Sequence, residues 1–218
     1  MATARRAPEP ATSAPALHLP PMARGLRIGL LGGSFNPAHE AHIMISQTAL
    51  RRLGLDAVWW LVSPGNPLKD NQALPPWQVR LTAARALVKH PRIKISAIEV
   101  RIGTPFTFAT LSWLVRRGAG VHFVWLMGGD NLANFHQWQR WRDIAQLMPI
   151  AVIDRPGATL RSAQTRAGQV LARYQMDETD ARLLPTAQAP AFVYLHGRRS
   201  TLSSTQLRIA AASALKLT

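Results

Sequence analysis

Cysteine is absent from the 218 residues, which excludes a disulfide framework and thiolate chemistry together, so stability and catalysis must both come from other groups. Acidic residues are scarce: 11 Asp and Glu stand against 26 Lys and Arg, for a formal net charge of +15. Such an excess attracts polyanions at low ionic strength without saying which. The basic residues are scattered, as in Arg51-Arg52, Arg116-Arg117 and Arg198-Arg199. No long basic run or recognition motif accompanies them, so nucleic acid is not the expected partner. Long apolar runs are missing too, since Gly, Pro or a charge interrupts every stretch before the roughly 18 to 20 residues that a membrane span needs. A soluble, cytoplasmic protein with no membrane partner is expected. What is present is a 47% hydrophobic content in a length suited to one α/β domain with a substantial core.

Residues 1 to about 24 are rich in Ala, Pro and Arg and offer little to build a packed element, so a disordered N-terminal extension is expected ahead of a single domain over 25–218. Pro8, Pro10, Pro15, Pro20 and Pro21 would break an amphipathic targeting helix, and no apolar stretch follows Arg5 and Arg6 as a signal peptide would require. Met22, just ahead of the first strand, is a candidate start of the chain. Short apolar segments at 28–31, 57–62, 93–97, 121–127, 150–153 and 192–195 read as strands, several of them continuous enough for a sheet covered on both faces. Between them, 77–88 reads as a helix that packs through Leu81, Ala84, Leu87 and Val88, with Arg80 and Arg85 toward solvent. Residues 99–103 read as a polar edge or connection, 161–174 as a surface helix and 175–190 as a loop.

The most informative stretch is Gly32-Gly33-Ser34-Phe35-Asn36-Pro37-Ala38-His39-Glu40-Ala41-His42. It joins a strand, a glycine pair that lets backbone and ligand approach closely, and a helix start just after Pro37. A helix start presents unpaired N–H groups and the positive end of the dipole, which suits polyphosphate. His39 and His42 share a helix face, from which imidazoles donate hydrogen bonds or positive charge to oxygens that gain charge as a bond to phosphorus breaks. A metal pair, a core pair or surface residues are the competing readings. The metal pair is the weaker of these, because no third ligand stands at a standard spacing.

Other residues stand where ligands bind in such sheets. The loop 63–69, with Asn66 and Lys69, follows the carboxyl end of a strand. Asp130 follows Gly128-Gly129 at the end of the most apolar strand, where a carboxylate accepts hydrogen bonds from ribose or caps the next helix. Ser203-Ser204-Thr205 open a late helix with Arg208 one turn on. They are an ordinary cap, or a set of hydroxyls, amides and a forked cation around terminal phosphates. Phe106 and Thr107 read as a hydrophobic anchor and a helix cap.

The first stretch resembles the GGxFxPxHxxH signature of the nucleotidyltransferase superfamily with a Rossmann-like fold, and Leu202-Ser203-Ser204-Thr205-Gln206-Leu207-Arg208 resembles its late ISSTxxR signature. Within that superfamily the chain, from about Arg27 to Arg208, is most similar to the bacterial nicotinate mononucleotide adenylyltransferases. The resemblance implies a doubly wound, mainly parallel sheet with helices on both faces. It implies ATP and nicotinate mononucleotide as substrates, deamido-NAD and pyrophosphate as products, and Mg²⁺ held largely by the ATP phosphates rather than by side chains.

It also implies roles. Gly32, Gly33, Ser34 and Phe35 line the ATP site with His39 and His42, which act on the reacting phosphates. Asp130 lies near the adenosine ribose, and Ser203, Ser204, Thr205 and Arg208 hold the leaving pyrophosphate. Asn66, Lys69, Phe106 and Thr107 fall to the mononucleotide side, with Trp138 of the Phe135-x-x-Trp138 pair stacking on the pyridine ring. Arg155, in a turn similar to the family's RPG, stays near the nucleotide or holds its loop. The sequence departs from the pattern at Asn36, where Asp is frequent, at Ala41, where Gly is common and a methyl would narrow the approach to phosphate, and at Phe106, where Tyr is common. Another acceptor, such as nicotinamide mononucleotide or phosphopantetheine, a cytidylyl donor, and a catalytically silent nucleotide- or RNA-binding protein are the alternatives.

Overall fold

Strand β2 (Ala57–Val62) buries every residue after its first, and strand alternation divides them between two cores. Val58, Trp60 and Val62 enter one apolar cluster, Trp59 and Leu61 the other. A computed structural model, which describes residues 17–65, 68, 71–153 and 164–196, shows the sheet responsible. Strands β1 (Arg27–Gly33), β2, β3 (Ile93–Ser96), β4 (His122–Gly128), β5 (Ile150–Ile153) and β6 (Phe192–Leu195) form one sheet in the order β3-β2-β1-β4-β5-β6. Every pairing is parallel. The chain begins in the middle, winds outward to β3, and returns beside β1 to wind outward the other way. The β1–β4 boundary is therefore the switch point, whose carboxyl edge opens the crevice in which such sheets bind ligands.

Helices cover both faces because each strand turns apolar side chains to both. On one face lie α1 (Glu40–Arg52), through Ile45, Ala49 and Leu50, and α2 (Trp77–Leu87), through Leu81 and Ala84. On the other lie α3 (Ile98–Ile102), α4 (Thr107–Arg117), α5 (Gly129–Phe135), α6 (Trp141–Leu147) and α7 (Arg166–Ala172), anchored by Ile98, Leu111, Leu132, Ile144 and Leu171. The Rossmann-like, doubly wound arrangement expected from the resemblance is what the chain adopts.

Four expectations need correction. Residues 175–190 are not merely a loop: Glu178–Thr186 form a 3₁₀ helix, opened by the Asp177 carboxylate accepting from the Thr179 N–H at 2.8 Å, and Ala181 and Leu184 enter the α1-side core. Of the stretch expected to be disordered, residues 17–24 lie against the domain. Leu17 packs on one core cluster, Leu19 and Met22 on the other, and Ser96 Oγ donates to the His18 carbonyl at 3.3 Å. These contacts hold the segment against the domain despite the prolines. Arg80 is buried rather than solvent-facing, for reasons given with the site.

Finally, 99–103 is not a polar edge, since Ile98–Ile102 form a helical turn ended by Gly103 at φ +72°, and Glu99 is buried inside it. Burial pushes the Glu99 carboxyl up to about 8 from an ordinary 4.5, while the neighbouring Thr110 hydroxyl pulls the other way. The sign follows from linkage. Below the unfolded value both states hold the proton. As pH rises from 4.5 toward 8 the unfolded chain gives it up first, so stability falls through that window and levels above it. The melting temperature of the wild type, relative to that of Glu99→Gln, should therefore decline between those pH values. A constant difference would show that Glu99 does not titrate on unfolding in that range.

Candidate functional site

β1 runs through Gly33 rather than stopping at the glycine pair, and neither Gly32 nor Gly33 has a left-handed backbone; that conformation falls to Phe35, at φ +47°. A non-glycine residue there is strained by crowding of its Cβ, and what holds it is packing. The Phe35 ring is 2% exposed and stacks on Trp60 of β2, with centroids 4.8 Å apart and planes 8° from parallel. Gly32 is required for a different reason than expected. A Cβ on it would lie 2.5 Å from the Trp125 ring, whereas one on Gly33 would meet Phe35 at an ordinary 3.5 Å.

The strained turn delivers the chain to α1, with His39 as its N-cap and His42 in its first turn. The imidazole centroids are 4.1 Å apart. His42 lies over the aromatic pair, 4.9 Å from Phe35 and 5.7 Å from Trp60. The backbone N–H of His39 donates to His42 Nδ1 at 3.3 Å. An accepting Nδ1 puts the proton of the neutral ring on Nε2, which makes Nε2 the donor. Below it, Trp60 Nε1 donates to Ser46 Oγ at 2.7 Å and Ser46 Oγ to the His42 carbonyl at 2.8 Å. His42 is thus held from the ring, from the cap and from its own carbonyl. His39 is buried and His42 half-buried, so His42 is the more accessible of the two. Ala41 is fully buried, its methyl packed into the interior.

From the other face, α5 begins directly at the end of β4, with Gly128 as N-cap and Asp130 exposed in the first turn. Because β1 and β4 are neighbours, the helix starts carrying His39, His42 and Asp130 open at the same carboxyl edge, from opposite sides of the sheet. Asp130 does not cap this helix, since the cap position belongs to Gly128. Trp138, half-buried, meets Trp125 edge-on at 6.1 Å and Phe135 at 5.4 Å, while Phe135 and Trp141 are core. Phe106 is the N-cap of α4 and Thr107 its first residue, so the expectation of Thr107 as cap is also corrected. Phe106 is 37% exposed. Asn66, Lys69, Arg155, Ser203, Ser204, Thr205 and Arg208 lie outside the described residues.

Arg80, only 2% exposed, joins the site from α2. Its Nε donates to the Pro75 carbonyl at 2.8 Å, and its two terminal nitrogens donate to the carbonyls of Ser34 at 2.6 Å and Pro64 at 3.3 Å. Burial draws its pKa down from the ordinary arginine value. The sequence did carry a signal for this: Trp77, Arg80, Leu81 and Ala84 follow helical spacing on one stripe, and charge alone argued for the solvent side. The Trp60–Ser46 link had no comparable signal, because it crosses from strand to helix.

Fold and site together define a Rossmann-like nucleotidyltransferase. The cytidylyltransferase-like family model matches residues 30–210. The chain is 56% identical over 183 residues to a probable nicotinate-nucleotide adenylyltransferase of Methylorubrum extorquens, covering 84% of this chain and 99% of that one. It is 50% identical over 181 residues to the probable enzyme of the same name from Agrobacterium fabrum, covering 83% and 97%. In fold it matches the Plasmodium falciparum nicotinic acid mononucleotide adenylyltransferase complexed with NaAD, with a TM-score of 0.62 at 15% identity, over 84% of this chain and 83% of that one. The chain belongs to the cytidylyltransferase-like family and, within it, to the nicotinate-nucleotide adenylyltransferases. Among the described residues no helix is long and apolar enough to cross a membrane.

Proposed function

We propose that the protein transfers the adenylyl group of ATP to nicotinate mononucleotide, giving deamido-NAD and pyrophosphate in NAD biosynthesis. The observation that carries the reading is the helix start at the switch point, where His42 is fixed so that Nε2 is its donor, in a chain 46–56% identical to relatives bearing that name. A phosphate oxygen of the mononucleotide attacks the α-phosphorus of ATP. The bond from that phosphorus to the oxygen bridging to the β-phosphate breaks, and its electron pair leaves with pyrophosphate. The attacking phosphate is already anionic at neutral pH, so no general base is needed, and catalysis is positioning with charge stabilisation.

In this reading Gly32, Gly33, Ser34 and Phe35 shape the ATP site, and His39 and His42 donate to the phosphates. Asp130 accepts from the ribose. Ser203, Ser204, Thr205 and Arg208 hold the departing pyrophosphate. Asn66, Lys69, Phe106, Thr107 and Trp138 form the mononucleotide side. Mg²⁺ prefers oxygen ligands in octahedral array, whereas the donors gathered at the helix start are imidazoles, so the phosphate oxygens of ATP would hold it. There it would supply neutralisation of phosphate charge.

Pyrophosphate release from ATP across a panel of acceptors tests the reading. Nicotinate mononucleotide should support fast turnover, and nicotinamide mononucleotide and phosphopantetheine only slow turnover. Equal or faster turnover with another acceptor would reassign the substrate. Nucleotide or RNA binding with no turnover on any acceptor would remove the enzyme reading.

A further inference from the structure

Among the described residues, the last backbone tie between β1 and β2 at their carboxyl ends is the Ser63 N–H donating to the Gly33 carbonyl at 3.0 Å. One residue further on each strand, the two chains part to form the walls of the site. Ser34 leads into the histidine-bearing turn, and Pro64 opens the loop proposed to meet the mononucleotide. Arg80 connects these walls: it reaches the carbonyls of both and, through Nε, the carbonyl of Pro75 just ahead of its own helix.

We propose that Arg80 is a positioning residue whose guanidinium sets the separation of the loops after β1 and β2, and with it the distance between the two bound substrates. The inference rests on the adenylyl-transfer reading of the site. Several features support it beyond simple stabilisation. A guanidinium is a planar fork of fixed geometry, so three carbonyls satisfied by one fork are fixed relative to one another. Two of those carbonyls belong to prolines, whose restricted φ limits how far the acceptors can adjust. Among the described residues no ion pair engages Arg80, so it is a buried cation held by carbonyls alone. An apolar side chain at this stripe position would stabilise the helix contact without the cost of burying a charge. In-line transfer requires the attacking oxygen and the α-phosphorus to meet at near-contact distance, and an error of about 1 Å in such a placement can cost about 100-fold in rate.

Two measurements test this. In steady-state kinetics below the melting transition, Arg80→Lys keeps a cation but loses the fork. It should lower kcat/KM for both substrates about tenfold or more, while Arg85→Lys, exposed on the same helix, leaves both unchanged. A purely structural role would lower the melting temperature of Arg80→Lys with near-normal kcat and KM in the folded enzyme, and that result would overturn the proposal. The second measurement uses the wild type and decides the matter even where the variant does not fold. The Nε–H resonance of Arg80 in isotope-labelled enzyme should shift on saturation with a non-hydrolysable ATP analogue alone and again with nicotinate mononucleotide alone. A resonance that responds to neither ligand would overturn the clamp. Failure of wild-type turnover with nicotinate mononucleotide would instead fault the acceptor assignment, leaving the ATP-analogue shift as the test of Arg80.

Discussion

Replacing His42 with alanine is expected to lower kcat about 100- to 1,000-fold, the usual loss when one preorganised donor to a developing oxyanion is removed. KM for ATP should change little, because a contact that strengthens as charge develops favours the transition state over the ground state. The fold should survive. His42 is half-buried and lies on the Phe35–Trp60 pair without being part of the apolar cores. The local loss is the capping bond from the His39 N–H to Nδ1 at 3.3 Å, and such caps contribute about 1 kcal/mol. Circular dichroism and a melting curve beside the kinetics separate the two effects. A variant that retains nearly full kcat would take His42 out of the reaction.

Gly32→Ala should act on stability first. Gly32 shares a strand face with Ile28 and Leu30, toward the α5 side of the sheet, and the Trp125 ring from β4 lies across it. A methyl placed 2.5 Å from that ring cannot be accommodated by a small adjustment, since Trp125 is 2% exposed and meets Trp138 edge-on at 6.1 Å. Overpacking of this kind costs about 1–3 kcal/mol, and at about 2–4 °C per kcal/mol for a chain of this size the melting temperature should fall by several degrees. The displacement passes to Trp138, so KM for nicotinate mononucleotide should rise more than KM for ATP. Gly33→Ala is the control, because its methyl would meet Phe35 at 3.5 Å and should cost far less stability. If the two variants melted together, the Trp125 contact would not be what demands glycine at 32.

These contrasts show what a sequence makes legible. The strands were readable because a strand buried on both faces is apolar throughout, as Trp59 and Trp60 illustrate by entering opposite cores. The histidine pair was readable because it is local: three residues of spacing place both rings at one helix start. Phe35 was misjudged in kind. Attention fell on the glycines as the place of close approach, but the left-handed residue is the phenylalanine, which its stack on Trp60 from another strand holds in place.

Arg80 and Glu99 were misplaced because charge argues for solvent, and only tertiary partners reverse that. Three loop carbonyls surround Arg80, and burial of Glu99 raises its pKa to about 8, so that it carries its proton at neutral pH. Leu17 and Leu19 were hidden among prolines, and the core clusters they pack on, like the Ser96 hydroxyl that meets the His18 carbonyl, involve residues far along the chain. In each case the missing information was a long-range contact, which no local pattern encodes.

The central claim is that the helix start after β1 and the late Ser-Thr-Arg segment close on one triphosphate. A crystal structure with a non-hydrolysable ATP analogue and nicotinate mononucleotide addresses it most directly. The account predicts His42 Nε2 within about 3 Å of a phosphate oxygen, with Ser203, Ser204, Thr205 and Arg208 on the same triphosphate. A triphosphate bound elsewhere on the sheet edge, touching neither imidazole, would contradict it.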